Sequence, residues 1–382
     1  MKTGMQAWIR TLSLLAIVLS AVACTKPSGA GRTVRFKAVS SEGAGTRVSY
    51  SGETYASGGD TYERLDWEST DKIKICMKKN ASASTEQASY GLSGIKENNR
   101  YSTASLVPDG EDLVWGDDAD LHEFWGVAFR TGTSVTISDH TVSGVSIPAD
   151  QQQTYAGKTK DSGTDLTTHV FTPDMSKVLL YTGLRNTPQG GETVSLEFYP
   201  AVTTFDFTVG ANERMVVKRF EMETRTSGLL VNGVMDSEFS GASVYLTGDA
   251  TITIGFDSAN KMTRTFAETS GTTGQVISVD FGADAPTVDQ NTMLNFKVFA
   301  LPLNIAGARI KFTYNDGGED RALSLNLSSS TDGGDTFKWL TFPACVKANI
   351  HGLLIPGAEW DIIFEGPKVE RWTSQGTMEI GV

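Results

Sequence analysis

Cysteine is nearly absent, with three in 382 residues. Cys24 stands alone near the start, and Cys76 and Cys345 sit in no CxxC or other metal-ligand spacing. That excludes zinc ribbons and disulfide-dense scaffolds. The two later thiols read as buried small hydrophobes, far apart in sequence. Histidine is scarce too: His122, His140, His169 and His351 form no HExxH and no paired metal spacing. No serine occupies a GxSxG elbow, and Ser93 in Gly91-Leu92-Ser93-Gly94 fails by one residue. The acidic turns 316–320 and 332–335 lack the oxygen-donor pattern of a calcium loop and read as hairpins. Asp117-Asp118 reads as a solvated corner. No metal, no cofactor and no catalytic residue is expected, so the chain reads as a non-enzyme. Positive charge is short as well: 33 Lys and Arg against 45 Asp and Glu leave a formal net charge of -12. This excludes a nucleic-acid partner and peripheral binding to anionic lipid.

What is present begins with an export signal. Lys2 and Arg10 form a positive n-region, and residues 12–22 form an uncharged apolar stretch too short to span a bilayer. It ends in Ala21-Val22-Ala23-Cys24, the small-residue run before cysteine of a lipobox. Cys24 is therefore the candidate lipidation site, and residues 1–23 are the lipoprotein signal peptide. The alternative is ordinary secretory cleavage after Ala23, with Cys24 a free thiol. Stable membrane anchoring takes more than one acyl chain, which a lipoprotein cysteine carries. Residues 24–32 follow as a Gly/Ser-containing tether.

Helical periodicity is hard to find, and period-two alternation is everywhere. Val34, Phe36 and Ala38 alternate with Arg35 and Lys37; Ile73, Ile75 and Met77 with Lys72, Lys74 and Cys76. The same rule holds for Val194, Leu196 and Phe198, for Phe205, Phe207 and Val209, and for Ile310, Phe312 and Tyr314. Each stretch buries one face and wets the other. The punctuation is hairpin chemistry, as in Asn315-Asp316-Gly317-Gly318 and Ser57-Gly58-Gly59-Asp60. The expected fold is all-β, sandwiches rather than a parallel sheet, with a turn or two of helix near residues 174–180. A turn-forming cluster, Asn186-Thr187-Pro188-Gln189-Gly190-Gly191, divides the chain into an N-terminal domain, 33–190, and a C-terminal domain, 191–382. Residues 80–100 read as a long surface loop.

Trp67, Trp125 and Trp360 lie in apolar strand contexts and belong to cores. Trp115 sits in the acidic stretch 112–120 and is the best exposed candidate for stacking on a sugar.

An ordered set of phrases then carries a resemblance. Phe36-Lys37-Ala38 and Thr46-Arg47-Val48-Ser49-Tyr50 precede Arg64-Leu65-Asp66-Trp67-Glu68 and Asp71-Lys72-Ile73-Lys74-Ile75. His122-Glu123-Phe124-Trp125-Gly126-Val127-Ala128-Phe129 and Val145-Ser146-Ile147-Pro148-Ala149-Asp150-Gln151 follow. The second half has Leu196-Glu197-Phe198-Tyr199-Pro200-Ala201-Val202, Phe299-Ala300-Leu301-Pro302 and Ile350-His351-Gly352-Leu353-Leu354-Ile355-Pro356. Over nearly the whole mature chain this order resembles the fimbrillin-like (Mfa-like) proteins of Bacteroidales, the subunits of surface fimbriae.

The resemblance implies two tandem transthyretin-like (Greek-key) β-sandwich domains behind a lipoprotein signal peptide. It implies an outer-membrane, cell-surface address and removal of the first strand by an arginine- or lysine-directed protease. A strand from the next fimbrial subunit then fills the exposed groove. Val34, Phe36 and Ala38 are the candidate plug, and Arg47 is the matching cleavage position, with Arg32 and Arg35 as rivals. Anchor-type members keep their lipid and are not cut. The tail Thr377 to Val382, with Met378, Ile380 and Val382 alternating, reads either as a donor strand or as the last strand of the second sandwich. The implied partners are other fimbrial subunits, the outer membrane through the lipid, and a host or bacterial surface receptor or glycan. The rival reading is a monomeric outer-membrane glycan-binding lipoprotein that stacks sugar on Trp115, with Trp339 as a second candidate.

Overall fold

The structure is a computed structural model that describes residues 32–379, apart from 41–49, 58–59, 98–100, 117–119, 131, 161–164, 187–192, 225–229, 232–233, 236–242, 307, 331–336, 340, 343, 356–361, 365–367 and 372–377. Cys24, Arg47 and Trp360 lie outside the described residues. Strands account for nearly all the regular structure, with short 3-10 turns at Met175–Lys177 and Gly282–Asp284. The first falls where a helical turn is expected, and Asp174 caps it by accepting the Ser176 N–H.

Seven strands close into a barrel. Its order is Arg35–Ser40, Thr193–Pro200, Leu180–Asn186, His122–Arg130, Asp71–Lys78, Glu86–Glu97 and Ser102–Pro108, which pairs back to Arg35–Ser40. The period-two stretches form its staves. Inside, Ile73, Ile75 and Met77 lie opposite Ala128, Gly126 and Phe124. Strand His122–Arg130 is buried on both faces, so its sequence runs apolar without alternation. Phe124 points inward, while Trp125 points outward and stacks on His140 with ring centroids 4.1 Å apart.

The outward face is covered by a four-stranded sheet, Met262–Glu268, Gly248–Phe256, Thr141–Ile147 and Thr136–Ser138. Val142, Ile252 and Ile254 join the same apolar cluster as the barrel interior. The two layers meet closely at Gly183, where an added Cβ would stand 2.9 Å from Ile254 and Met262 atoms. A larger residue there would have to push these side chains aside.

A second core lies between an eight-stranded and a six-stranded sheet. Phe205, Phe207, Val209, Phe296 and Ile350 line one layer; Phe220, Met222, Val279 and Phe312 line the other. Asn315–Gly318 forms the expected turn, with the Asn315 side chain accepting from Gly317 N–H and donating to Gly318 carbonyl. Asp320 pairs with Lys218 and Asp316 with Arg321, and among the described residues no cluster of His, Cys, Asp or Glu is built to hold a metal. Met378–Glu379 adds antiparallel to Lys368–Arg371 at the sheet's edge.

One expectation gives way in part. Within the expected surface loop 80–100, Glu86–Glu97 is a long strand paired to both neighbours, with only Ala88 and Tyr90 buried. Its Gly/Ser-rich composition reflects a mostly wetted stave. Thr193–Pro200 completes the first barrel, and the core changes hands between Val202 and Phe205. The pairing is mixed: Arg35–Ser40 runs parallel to Thr193–Pro200, and Thr203–Ala211 parallel to Val346–Leu354.

Candidate functional site

The first strand is the one barrel stave that lies at a chain terminus of the described fold. It is wedged between Thr193–Pro200, parallel from Arg35↔Thr193 to Ser40↔Phe198, and Ser102–Pro108, antiparallel from Lys37↔Ser105 to Val39↔Thr103. Its alternation sends Val34, Phe36 and Ala38 inward at 2%, 3% and 0% exposure, as the sequence pattern anticipates. The Phe36 ring is edge-on to Tyr90 at 5.4 Å and to Phe124 at 5.6 Å. Burial of Val34 and Phe36 contributes about 1.5–3 kcal/mol each.

Ser40 extends the same inward series and is 1% exposed. Its Oγ accepts the Ser102 N–H at 2.9 Å and donates to the Ser102 carbonyl at 3.3 Å. Apolar periodicity could not flag it, because the residue is polar.

A strap crosses the strand's N-terminal end. Val34 N–H donates to Leu113 carbonyl and Trp115 N–H to Arg32 carbonyl, both at 2.8 Å, around a bridge between Thr33 and Val114. Two buried side chains fix the strap. Tyr90 OH donates to Asp112 Oδ1 at 2.8 Å. Burial pushes the Tyr90 phenol well above its ordinary value, and Asp112 adds to the rise, so it stays a donor. Gly116 N–H donates to His122 Nε2 at 3.0 Å, which leaves His122 Nδ1 to donate to Asp120 carbonyl at 3.1 Å. His122 is 0% exposed.

Trp115 belongs to this strap, and its expected exposure is not found. It is 4% exposed, with its ring edge-on to His122 at 5.3 Å and Phe124 at 5.7 Å. An acidic stretch suggested solvent; the strap's backbone bonds to residues 32–34 pull the indole into the barrel end. It presents no face to a sugar.

The slot's chemistry is therefore backbone hydrogen bonding plus alternate apolar pockets. Elsewhere a cavity of about 120 Å³ is lined by Gln151 and Phe299 among others. The Gln151 side chain is committed to the Phe299 backbone, accepting its N–H at 2.8 Å and donating to its carbonyl at 2.5 Å.

No family model and no curated protein matches the chain. Among solved structures it is similar to a Bacteroides uniformis protein assigned provisionally to cell adhesion, at 15% identity and TM-score 0.48, covering 90% of this chain and 98% of that one. It is also similar to a fimbrial assembly protein from Parabacteroides distasonis, at 10% identity and TM-score 0.38, covering 92% and 100%. A third is the tip fimbrial protein Mfa3 from Porphyromonas gingivalis with C-terminal truncation, at 8% identity and TM-score 0.39, covering 89% and 99%. With all three TM-scores below 0.5, the functional reading rests on the chain's own geometry.

Proposed function

We propose that this chain is a structural and adhesion subunit of a cell-surface fimbria, exported as a lipoprotein through Cys24 and assembled by strand replacement. One observation carries the reading: the first described strand closes the barrel, and a single cut in the segment after it would free it while both neighbouring staves stay in one chain. Its departure bares two facing edges, Thr193–Pro200 and Ser102–Pro108, and the pockets of Val34, Phe36 and Ala38. Open edges of this kind capture strands from other chains. Holding a local strand in place until cleavage, with Arg47 as the cut position, keeps the subunit from premature aggregation.

The partners on this reading are other fimbrial subunits, at the outer surface. Catalysis has no place in it. The glycan-stacking alternative loses its leading residue, because Trp115 is buried.

The test is assembly of purified protein. After a cut at Arg47, the chain should release the first strand and form higher-order species with a strand-donating subunit. The uncut chain should stay as it is. Release of the strand without any uptake of a donor would overturn the proposal.

A further inference from the structure

The slot is not uniform along its length. Val34 and Phe36 occupy apolar positions, and the Phe36 ring needs the aromatic corner made by Tyr90 and Phe124. Ala38 lies opposite Leu196 on one side and Ala104 on the other, and Ala38, Ala104 and Leu196 are all fully or almost fully buried. Two alanines face each other there, so the space admits no larger side chain without displacing packed neighbours.

The far end is polar. The backbone ladder with Ser102–Pro108 stops at Val39↔Thr103. One step on, the Ser40 hydroxyl takes over, serving both the N–H and the carbonyl of Ser102. Ser102 is 0% exposed, and its own Oγ accepts the Trp67 N–H at 3.2 Å. A side chain without a hydroxyl at the Ser40 position leaves a buried N–H with no partner.

We infer that the slot selects its occupant: an extended segment on a partner subunit, running parallel to Thr193–Pro200, with an aromatic, an alanine-sized and a hydroxyl-bearing residue at successive inward positions. This inference rests on the strand-replacement reading above and adds to it the sequence the slot accepts. Aligned inward residue on inward residue from Val34, the chain's own tail places Met378, Ile380 and Val382, which puts a branched side chain at the alanine position. That segment is a poor occupant.

The experiment uses the full mature chain, nicked between residues 41 and 49, and fluorescent peptides of residues 33–40. The native peptide should enter the slot, and its Ser40→Thr variant should bind nearly as well. Ser40→Ala should bind about tenfold more weakly, and Ala38→Leu more weakly still. In the uncut chain, Ser40→Ala should speed hydrogen exchange at the Ser102 amide relative to the unaltered chain. If the variants bind like the native peptide and Ser102 exchange is unchanged, the selectivity is wrong while strand replacement stands. If no peptide enters, the native one included, after mass spectrometry shows the first strand gone, strand replacement fails and the selectivity falls with it.

Discussion

Asp206 is a buried carboxylate between two buried lysines. It is 8% exposed, its Oδ2 lies 3.4 Å from Lys297 Nζ and 3.0 Å from Lys347 Nζ, and Asn295 donates to its Oδ1 at 2.8 Å. Burial alone would raise its pKa. The two ammonium groups outweigh that and hold it at about 2, against an ordinary 3.8. A depressed carboxylate adds stability above its unfolded value and loses it as pH falls through the folded one. Denaturation by urea should therefore become easier between pH 3.8 and about 2, by about 2 kcal/mol from this residue. Asp206→Asn should cost about 3–5 kcal/mol at neutral pH and lose that pH dependence. Parallel profiles for the two proteins would contradict the assignment. The two later cysteines are free and buried, as their spacing suggests, and burial pushes each thiol to about 12. In a Cys24→Ser chain, neither should react with a thiol reagent until the protein is unfolded; fast native labelling would show otherwise. Sequence reading found the inward side chains Val34, Phe36 and Ala38 because apolar alternation marks them. It could not find Ser40 or the Asp206 cluster, since a buried polar group is defined by partners far away along the chain.

Strand, strap and slot form the next level. The strap holds the first strand at its N-terminal end through two backbone bonds, so cleavage downstream removes the covalent tie and leaves this one. His122 secures the strap by accepting Gly116 N–H. In His122→Ala, amide exchange should accelerate at Val34 and Trp115 while strand Asp71–Lys78 keeps its protection. Unchanged exchange at those two amides would remove the strap from any role in retaining the strand. The first strand was legible as a strand, and so was its buried face. Its neighbours were not, because parallel pairing with residues 193–200 joins segments that no local pattern connects. The same holds for Trp115, whose burial depends on which segment its backbone meets.

Across the whole molecule, the halves exchange strands. Thr167–Pro173, from the first half, pairs in parallel with Thr292–Ala300, and Gln153–Lys160 extends that sheet. In return, Gly248–Phe256, from the second half, pairs with Thr141–Ile147 and covers the barrel. The strands on either side of the turn-rich cluster, Leu180–Asn186 and Thr193–Pro200, pair antiparallel as staves of one barrel. Fragments 33–190 and 191–382 should each fail to show a cooperative thermal transition alone, since each would lack strands of its own sheets and expose the partner's apolar face. Two independently melting fragments would contradict the interlock.

The central claim, that the first strand is a removable stave, is met most directly by the N-terminal sequence and intact mass of the protein recovered from the cell surface. The account predicts a start at Val48, with residues 33–40 gone and the barrel open to a partner's strand. A start at an acylated Cys24, with the first strand still in place in assembled fibres, would contradict it.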